Sequence, residues 1–322
     1  MSHPAIKNIL ITCAGGSGPL YLAKQLKKKG YHVYLSDGSN ESIARFLGFP
    51  FALMPFGNSQ QYLPAVKDLI RRWNIQCIVP GADEELLAVA KLCEEIPHLQ
   101  AVLPRKDFIA ACLNKKELMK RLAKLSISSL LSFATRRSVA YPAAVKPMYG
   151  RGSRGFHIVH NSRQLAGYLA LYNKKFSELV VQPYIAGDEY TVSVIVNNKN
   201  QLLAIVCKKI LLKRGITKAA VVVKNNVIDR VCRMIVKKMS PGGPFNVQLK
   251  LYKGKVYIFE INPRLSTTSV LTDQACGNEV ELYIHSFNRA VIKKQLPVQS
   301  GIFLYRYEEN FFKFSRTKLK RV

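Results

Sequence analysis

The first hundred residues alternate short apolar runs with amphipathic stretches, and that alternation restricts the fold more than any other feature. Residues 7–12, 32–36, 76–80 and 101–103 read as strands, and 20–29, 62–73 and 83–95 as helices. Consecutive strands separated by helices of about 10–15 residues must pair in parallel, because only a crossover of that length returns the chain to the same edge. The expectation for this region is an α/β, Rossmann-like parallel sheet. Residues 107–125 then read as a helix that is basic on one side. From about residue 140 the pattern turns β-rich, with strands expected at 143–146, 179–182, 190–196, 202–208, 245–251 and 256–262 and helices at 227–238 and 279–290. That second region is α+β. The last dozen residues are aromatic and basic and read as a loosely packed tail.

A chain of 322 residues is long enough for two or three cores, and 48% hydrophobic with 21% charged residues fits a soluble globular protein. No apolar run approaches the ~18 residues of a membrane span. Residues 8–12 are apolar but run straight into a Gly-rich turn, so they read as a first strand and not as a signal peptide. The seven cysteines are scattered without a C-x-x-C pair, which suits a reduced, cytoplasmic protein with mostly buried thiols. The six histidines show no zinc spacing. Lys and Arg outnumber Asp and Glu by 49 to 20, a net charge of +29. Such a field attracts nucleotides, acidic metabolites, nucleic acid or anionic lipid. A solvated basic surface is the favoured explanation, since no zinc finger, RNP motif or basic heptad marks specific nucleic-acid binding.

Chemistry concentrates in a few segments. Phe259-Glu260-Ile261-Asn262-Pro263-Arg264 closes a strand. Strand alternation puts Glu260 and Asn262 on one face, Pro263 ends the ladder, and Arg264 sits where the chain leaves the sheet. Two oxygen donors beside a guanidinium suit Mg²⁺ and phosphate, although a strand end with a solvated charge explains the hexapeptide as well. Lys146 is followed by the loop Gly150-Arg151-Gly152-Ser153-Arg154-Gly155. A strand lysine and a Gly-rich basic turn can fold over a polyphosphate; a mobile hairpin loop is an equal alternative. Val181-Gln182-Pro183-Tyr184 leads into a strand opened by Glu189, a linker that can offer backbone groups to a base edge and an acid to ribose hydroxyls. Taken singly, an ordinary β-connection explains it better.

The strands 245–251 and 256–262 form a hairpin. A two-residue turn at Lys253-Gly254 would set Gln248 opposite Phe259 and put Gln248 and Glu260 on opposite faces. An odd loop, Lys253-Gly254-Lys255, would pair Gln248 with Glu260, and that loop is the expectation. Asn114 with Glu117 reads as a helix cap, which competes with a phosphate role for Lys115. The turn Gly15-Gly16-Ser17-Gly18 lacks the G-x-G-x-x-G spacing, which favours a plain tight turn there and turn initiation by Asp37.

In order and spacing these segments resemble the ATP-grasp superfamily, closest to the carbamoyl-phosphate synthetase large subunit and single-module amino-acid ligases, over roughly residues 5–290. The resemblance implies a pre-ATP-grasp domain at 1–105, a two-lobed ATP-grasp domain at 106–290 with lobes 106–183 and 184–290, and a tail at 291–322. It implies that Lys115 and Lys146 contact ATP phosphates, with Gly150, Gly152, Ser153 and Gly155 in a phosphate-covering flap. Val181, Gln182, Pro183 and Tyr184 would flank adenine and Glu189 would hold the ribose. Gln248, Glu260 and Asn262 would organise Mg²⁺, with Mn²⁺ as an alternative. Arg264, with Lys146, would stabilise the transferring phosphoryl group. Many members carry an acid where Gln248 stands, so two metal ions are less firmly implied than one. Lys213–Thr217 resembles, more weakly, a loop near the phosphates.

The implied activity is an ATP- and Mg²⁺-dependent carboxylate–amine ligase that proceeds through an acyl phosphate. Its partners would be a small carboxylate and an amine, and related proteins often dimerise. A noncatalytic ATP-binding module would bind nucleotide without turnover. A carbamoyl- or acyl-phosphate-forming subunit would need a separate partner. A charge-driven nucleic-acid binder would show steep salt dependence. Asp83, Glu84 and the loop 265–269 are candidate substrate contacts that capping and turn formation explain equally.

Overall fold

A computed structural model describes residues 6–150, 152, 154–286 and 295–312. The N-terminal region is a five-stranded parallel sheet built from β1 (Asn8–Ile11), β2 (His32–Asp37), β3 (Phe51–Leu53), β4 (Cys77–Val79) and β5 (Gln100–Ala101), in the order β3-β2-β1-β4-β5. Both faces are covered, which is why the central strands β1 and β4 carry the continuous apolar runs Ile9–Ile11 and Cys77–Val79 instead of alternating. Leu22 and Leu26 of α1 (Ser17–Lys28) pack with Ile9 and Ile11 on one face. Val66 and Leu69 of α2 (Tyr62–Trp73) and Val89 and Leu92 of α3 (Leu86–Glu95) pack with Leu10 and Ile78 on the other. The helix expected at 20–29 starts three residues earlier, since Pro19 is tolerated in a first turn where its missing N–H is not needed. Strand β3 is three residues long, too short to show a period. Asp37 initiates a turn, as its composition suggests: its carboxylate accepts from Gly15 N at 2.7 Å and Ser39 N at 2.9 Å.

The helix expected at 107–125 is two helices, α4 (Lys106–Leu113) and α5 (Lys115–Lys124). The break falls at Asn114, whose side chain accepts from Lys116 N and Glu117 N, both at 3.1 Å, and so starts a new helix. A three-stranded antiparallel sheet follows: β6 (Ala143–Pro147) lies between β7 (His157–Val159) and β8 (Leu179–Pro183), with α6 (Ser162–Leu171) packed against it.

The largest sheet has six strands in the order β13-β12-β9-β10-β11-β14, where β9 is Asp188–Val196, β10 Leu202–Arg214, β11 Ile216–Val222, β12 Phe245–Tyr252, β13 Lys255–Asn262 and β14 Phe303–Tyr305. Strand β10 runs six residues beyond its expected end, because its basic run pairs with β11 in a hairpin that turns at Gly215. Strand β14 lies within the segment 291–322 expected as a tail, ahead of the last dozen residues expected to pack loosely: residues 303–305 pair with β11 and extend the sheet. The basic stretch after residue 312 lies outside the described residues. One face of the sheet is apolar, with Val192, Val194, Val247 and Leu249 packed under α5 and α7 (Asn226–Met239). The other face carries a polar row, which the next section takes up. Helix α8 (Ser269–Cys276) and α9 (Glu279–Ser286) join this sheet to the first one: Val280, Tyr283 and Ile284 sit in the core of the parallel sheet. The helix expected at 279–290 is described only to Ser286.

The hairpin β12–β13 departs from expectation in an instructive way. Its loop is the two-residue Lys253-Gly254 turn, not the odd loop, with both residues left-handed at φ 48° and 73°. Two positive φ values match the right-handed strand twist, and glycine takes the second position without steric cost. Gln248 nevertheless stands opposite Glu260, because a β-bulge at Phe259 shifts the register between Leu249↔Ile258 and Gln248↔Glu260. The extra residue does what the odd loop was expected to do.

Gly254→Ala should cost about 1–2 kcal/mol in urea denaturation, the penalty of a Cβ in a left-handed turn. An unchanged midpoint would mean that this turn is not the left-handed one that fixes the register.

Candidate active site

The bulge governs the site. Before it, Val256 and Ile258 face the core; after it, Ile261 does, so Phe259 and Glu260 both turn toward the polar side. Cross-strand pairing assembles a polar face. Asn246 opposes Asn262 and Ser193; Gln248 opposes Glu260 and Thr191; Lys250 opposes Glu189. This face, the three-stranded sheet and α5 enclose a cavity of about 330 Å³. A second chamber of about 100 Å³ continues from it, sharing Glu189, Lys213, Gln248 and Glu260 and ending at Asn262, Arg264 and Thr267.

Lys146 ends β6 inside the cavity and donates to the Phe259 carbonyl at 2.8 Å, with its ammonium 5.1 Å from the Phe259 ring centroid. A bulged carbonyl is left without a ladder partner, and Lys146 supplies one. Burial holds its pKa down to about 8; Glu260 opposes that shift, while the Lys115 and Lys213 charges reinforce it. Lys115, buried at the start of α5, donates to Gly150 O at 2.6 Å and lies 3.5 Å from Glu260. Asn114 caps the helix while the next residue, Lys115, faces the cavity, so the cap leaves Lys115 free to face it.

The polar side chains divide unevenly by sign. Lys115, Lys146, Lys213, Lys250 and Arg154 line the larger cavity and Arg264 the smaller, against Glu189 and Glu260. Glu189 pairs with Lys213 at 2.6 Å and lies 3.9 Å from Lys250. Arg264 donates from Nε to Asp83 Oδ1 at 2.6 Å, from Nη1 to Leu265 O at 3.2 Å and from Nη2 to Asn262 Oδ1 at 3.5 Å. Asp83 is thus engaged by an arginine of the site. A cation excess around one enclosed space suits a polyanion.

Of the expected site residues, the structure brings Lys115, Lys146, Gly150, Pro183, Tyr184, Glu189, Gln248 and Glu260 to the larger cavity, and Gly152, Asn262 and Arg264 to the smaller. Gly155 lines neither chamber; it has φ 69°, and Pro147 is only 3.1 Å from where a Cβ would be. Ser153 lies outside the described residues. Val181 and Gln182 do not line either chamber. Val181 is buried in the three-stranded sheet, and Ser132 Oγ both accepts from its N–H at 3.0 Å and donates to its carbonyl at 3.1 Å. Gln182 is buried and donates to Leu130 O. The rim passes instead to Pro183, Tyr184 and Ile185. Sequence reasoning missed Lys250, Ile185 and Leu130. Lys250 lies two residues from Gln248, a spacing that could have revealed it; Leu130 belongs to a coil with no such signal.

The family model described as "ATP-grasp in the biosynthetic pathway with Ter operon" matches residues 175–310. The carbamoyl phosphate synthase large chain of Clostridium botulinum is 28% identical over 151 residues, which are 43% of this chain and 14% of that one. The arginine-specific large chain of Geobacillus stearothermophilus is 25% identical over 155 residues, 45% of this chain and 15% of that one. Over these residues the chain is similar to an ATP-grasp family and to carbamoyl phosphate synthase large chains. The matched region spans only about one-seventh of these curated relatives. Solved structures share the fold of this chain. N5-carboxyaminoimidazole synthetase from Staphylococcus aureus, complexed with ADP, superposes with a TM-score of 0.75 at 16% identity, covering 92% of this chain and 82% of that one. An L-amino acid ligase from Bacillus licheniformis gives a TM-score of 0.68 at 17% identity over 87% of this chain and 73% of that one.

Lys146 is depressed, so it loses its proton as pH rises through about 8. A bound polyanion favours the charged form. Affinity for tripolyphosphate, measured by titration calorimetry, should therefore fall as pH rises above 8, and Lys146→Met should flatten the profile. A wild-type affinity independent of pH between 7 and 10 would contradict this placement of Lys146.

Proposed function

We propose that this chain is an ATP-dependent carboxylate–amine ligase that works through an acyl phosphate. The observation that carries the reading is the convergence of Lys115, Lys146, Gln248, Glu260, Asn262 and Arg264, drawn from α5, β6, β12, β13 and the turn after β13, on two connected chambers. The larger chamber is read as the nucleotide pocket and the smaller as the place where phosphate meets the acid. Residues 1–105 are read as the Rossmann-like companion domain and 106–290 as the two-lobed ATP-grasp domain. Among the solved relatives, the synthetase complexed with ADP and the amino acid ligase make this class of reaction the natural one to extend to the present fold.

In this reading a carboxylate oxygen attacks the γ-phosphorus and ADP leaves. An amine then attacks the acyl carbon, expelling inorganic phosphate and a proton and leaving an amide. Lys115, Lys146 and Arg264 offset the negative charge that grows on the transferring group. Pro183, Tyr184 and Ile185 flank the base, and Glu189 turns from its lysines to the ribose. The loop around Gly150, Gly152 and Gly155 covers the phosphates and excludes water from the acyl phosphate. Gln248, Glu260 and Asn262 offer hard oxygen donors on one face and would hold Mg²⁺, which binds through one or two carboxylates together with substrate phosphates. Bound there, the ion would neutralise phosphate charge. A homodimer and small acid and amine substrates complete the proposal.

ADP release from MgATP should depend on one acid and one amine out of pooled amino acids and small dicarboxylic acids. Glu260→Ala should lower the rate by about 100-fold or more, while tripolyphosphate binding persists. Release that is indifferent to the acid, or undiminished in Glu260→Ala, would refute the ligase reading or its metal site respectively.

A further inference from the structure

We propose that Asp83 is a positioning residue for Arg264, so that the N-terminal parallel sheet sets the orientation of the guanidinium in the smaller chamber. The proposal rests on the reading of the two chambers as a nucleotide site.

The two residues are distant in sequence and come from different sheets. Arg264 follows the end of β13, and Asp83 opens the turn after β4. Their side chains meet at 2.6 Å and are only 13% and 15% exposed. Arg264 lines the smaller chamber together with Asn262, Glu260 and Gln248. With Nε held by Asp83, Nη1 by the Leu265 carbonyl and Nη2 by Asn262, the guanidinium plane is set from three directions. A five-donor planar fork is useful to a phosphoryl group only when its plane is fixed.

The turn that presents Asp83 is itself rigid. Glu85, 2% exposed, accepts from Gly81 N and Ala82 N at 2.9 Å each and from Thr12 Oγ1 at 2.6 Å, and the Tyr62 hydroxyl also donates to it. Gly81 leaves no room for a side chain, since a Cβ there would lie 2.6 Å from the Thr12 carbonyl. A buried carboxylate thus clamps the β4 turn to β1, and the clamped turn holds out Asp83. The pair is too shielded to be the weak kind of surface ion pair, and a carboxylate held on a rigid turn constrains its partner's direction as well as its charge.

A plain staple between the sheets would have a different signature from a positioning residue. Losing a staple lowers stability and spares or weakens all ligands alike. Losing a positioning residue harms the ligand that reaches the guanidinium. Titration calorimetry with ADP and with the non-hydrolysable β,γ-imido analogue of ATP separates the two. Asp83→Asn should weaken the triphosphate analogue about five-fold or more while changing ADP less than about two-fold. Asp83→Glu, which keeps the charge one methylene further out, should lose less with the same selectivity, and it carries the test if Asp83→Asn does not fold. Arg264→Lys should show the same selective loss, and adding Asp83→Asn to it should change little more. Unchanged or uniform weakening of both nucleotides in the Asp83 variants would overturn the proposal while leaving the nucleotide site standing. Wild-type protein that binds neither nucleotide would overturn the site reading and this proposal with it.

Discussion

The hydrogen bond from Lys146 to the Phe259 carbonyl is the contact on which the site depends. It joins the three-stranded sheet to the six-stranded one at the single residue where β13 changes parity. Without the bulge, Phe259 and not Glu260 would stand opposite Gln248, and the acid would turn toward the apolar face under α5 and α7. That face has no partner for a carboxylate, so its burial there would be costly. With the bulge, the orphaned carbonyl finds a buried ammonium, and hydrogen bonds of that charged kind contribute about 1.5–3 kcal/mol. One irregularity thereby aims the acid and anchors the lysine.

The charges around the cavity are arranged as an unfinished circuit. Lys115 leans on Glu260, and Lys213 and Lys250 lean on Glu189. Under the proposed function, each acid has a cation to release to a polyphosphate. The cations outnumber the acids, and burial presses Lys146 toward its neutral form. A polyanion relieves that pressure. Arg264 is the exception, since its partner Asp83 belongs to the clamped turn of the parallel sheet and is not placed to let go.

Much of this was legible in the sequence, for identifiable reasons. The parallel sheet announced itself through strand–helix alternation, and helix 62–73 through its strong amphipathic period. Glu260 and Asn262 share a face because strand alternation is indifferent to what precedes it. The pairing of Gln248 with Glu260 was foreseen for the wrong reason. A bulge at a phenylalanine carries no glycine to mark it, whereas the Lys253-Gly254 turn that it offsets was readable as a turn. The strand β10 was expected to end at Lys208 because the run 208–214 is dense in Lys and Arg and shows no strand alternation, yet backbone pairing with β11 carries the strand through it. Val181 and Gln182 were expected to flank a base; they stand off the cavity rim, and Ser132 and Leu130, from an irregular stretch, hydrogen-bond them. Such competition between coil and strand leaves no periodic trace.

The central claim is that these chambers join a carboxylate to the γ-phosphate of ATP. The most direct measurement supplies candidate acids labelled with ¹⁸O in the carboxylate, together with amines and MgATP, and follows the label by mass spectrometry. An acyl phosphate requires that one carboxylate oxygen leave with phosphorus, so the account predicts inorganic phosphate carrying a single ¹⁸O for each amide formed. Phosphate released without label, its new oxygen drawn from water, would contradict it.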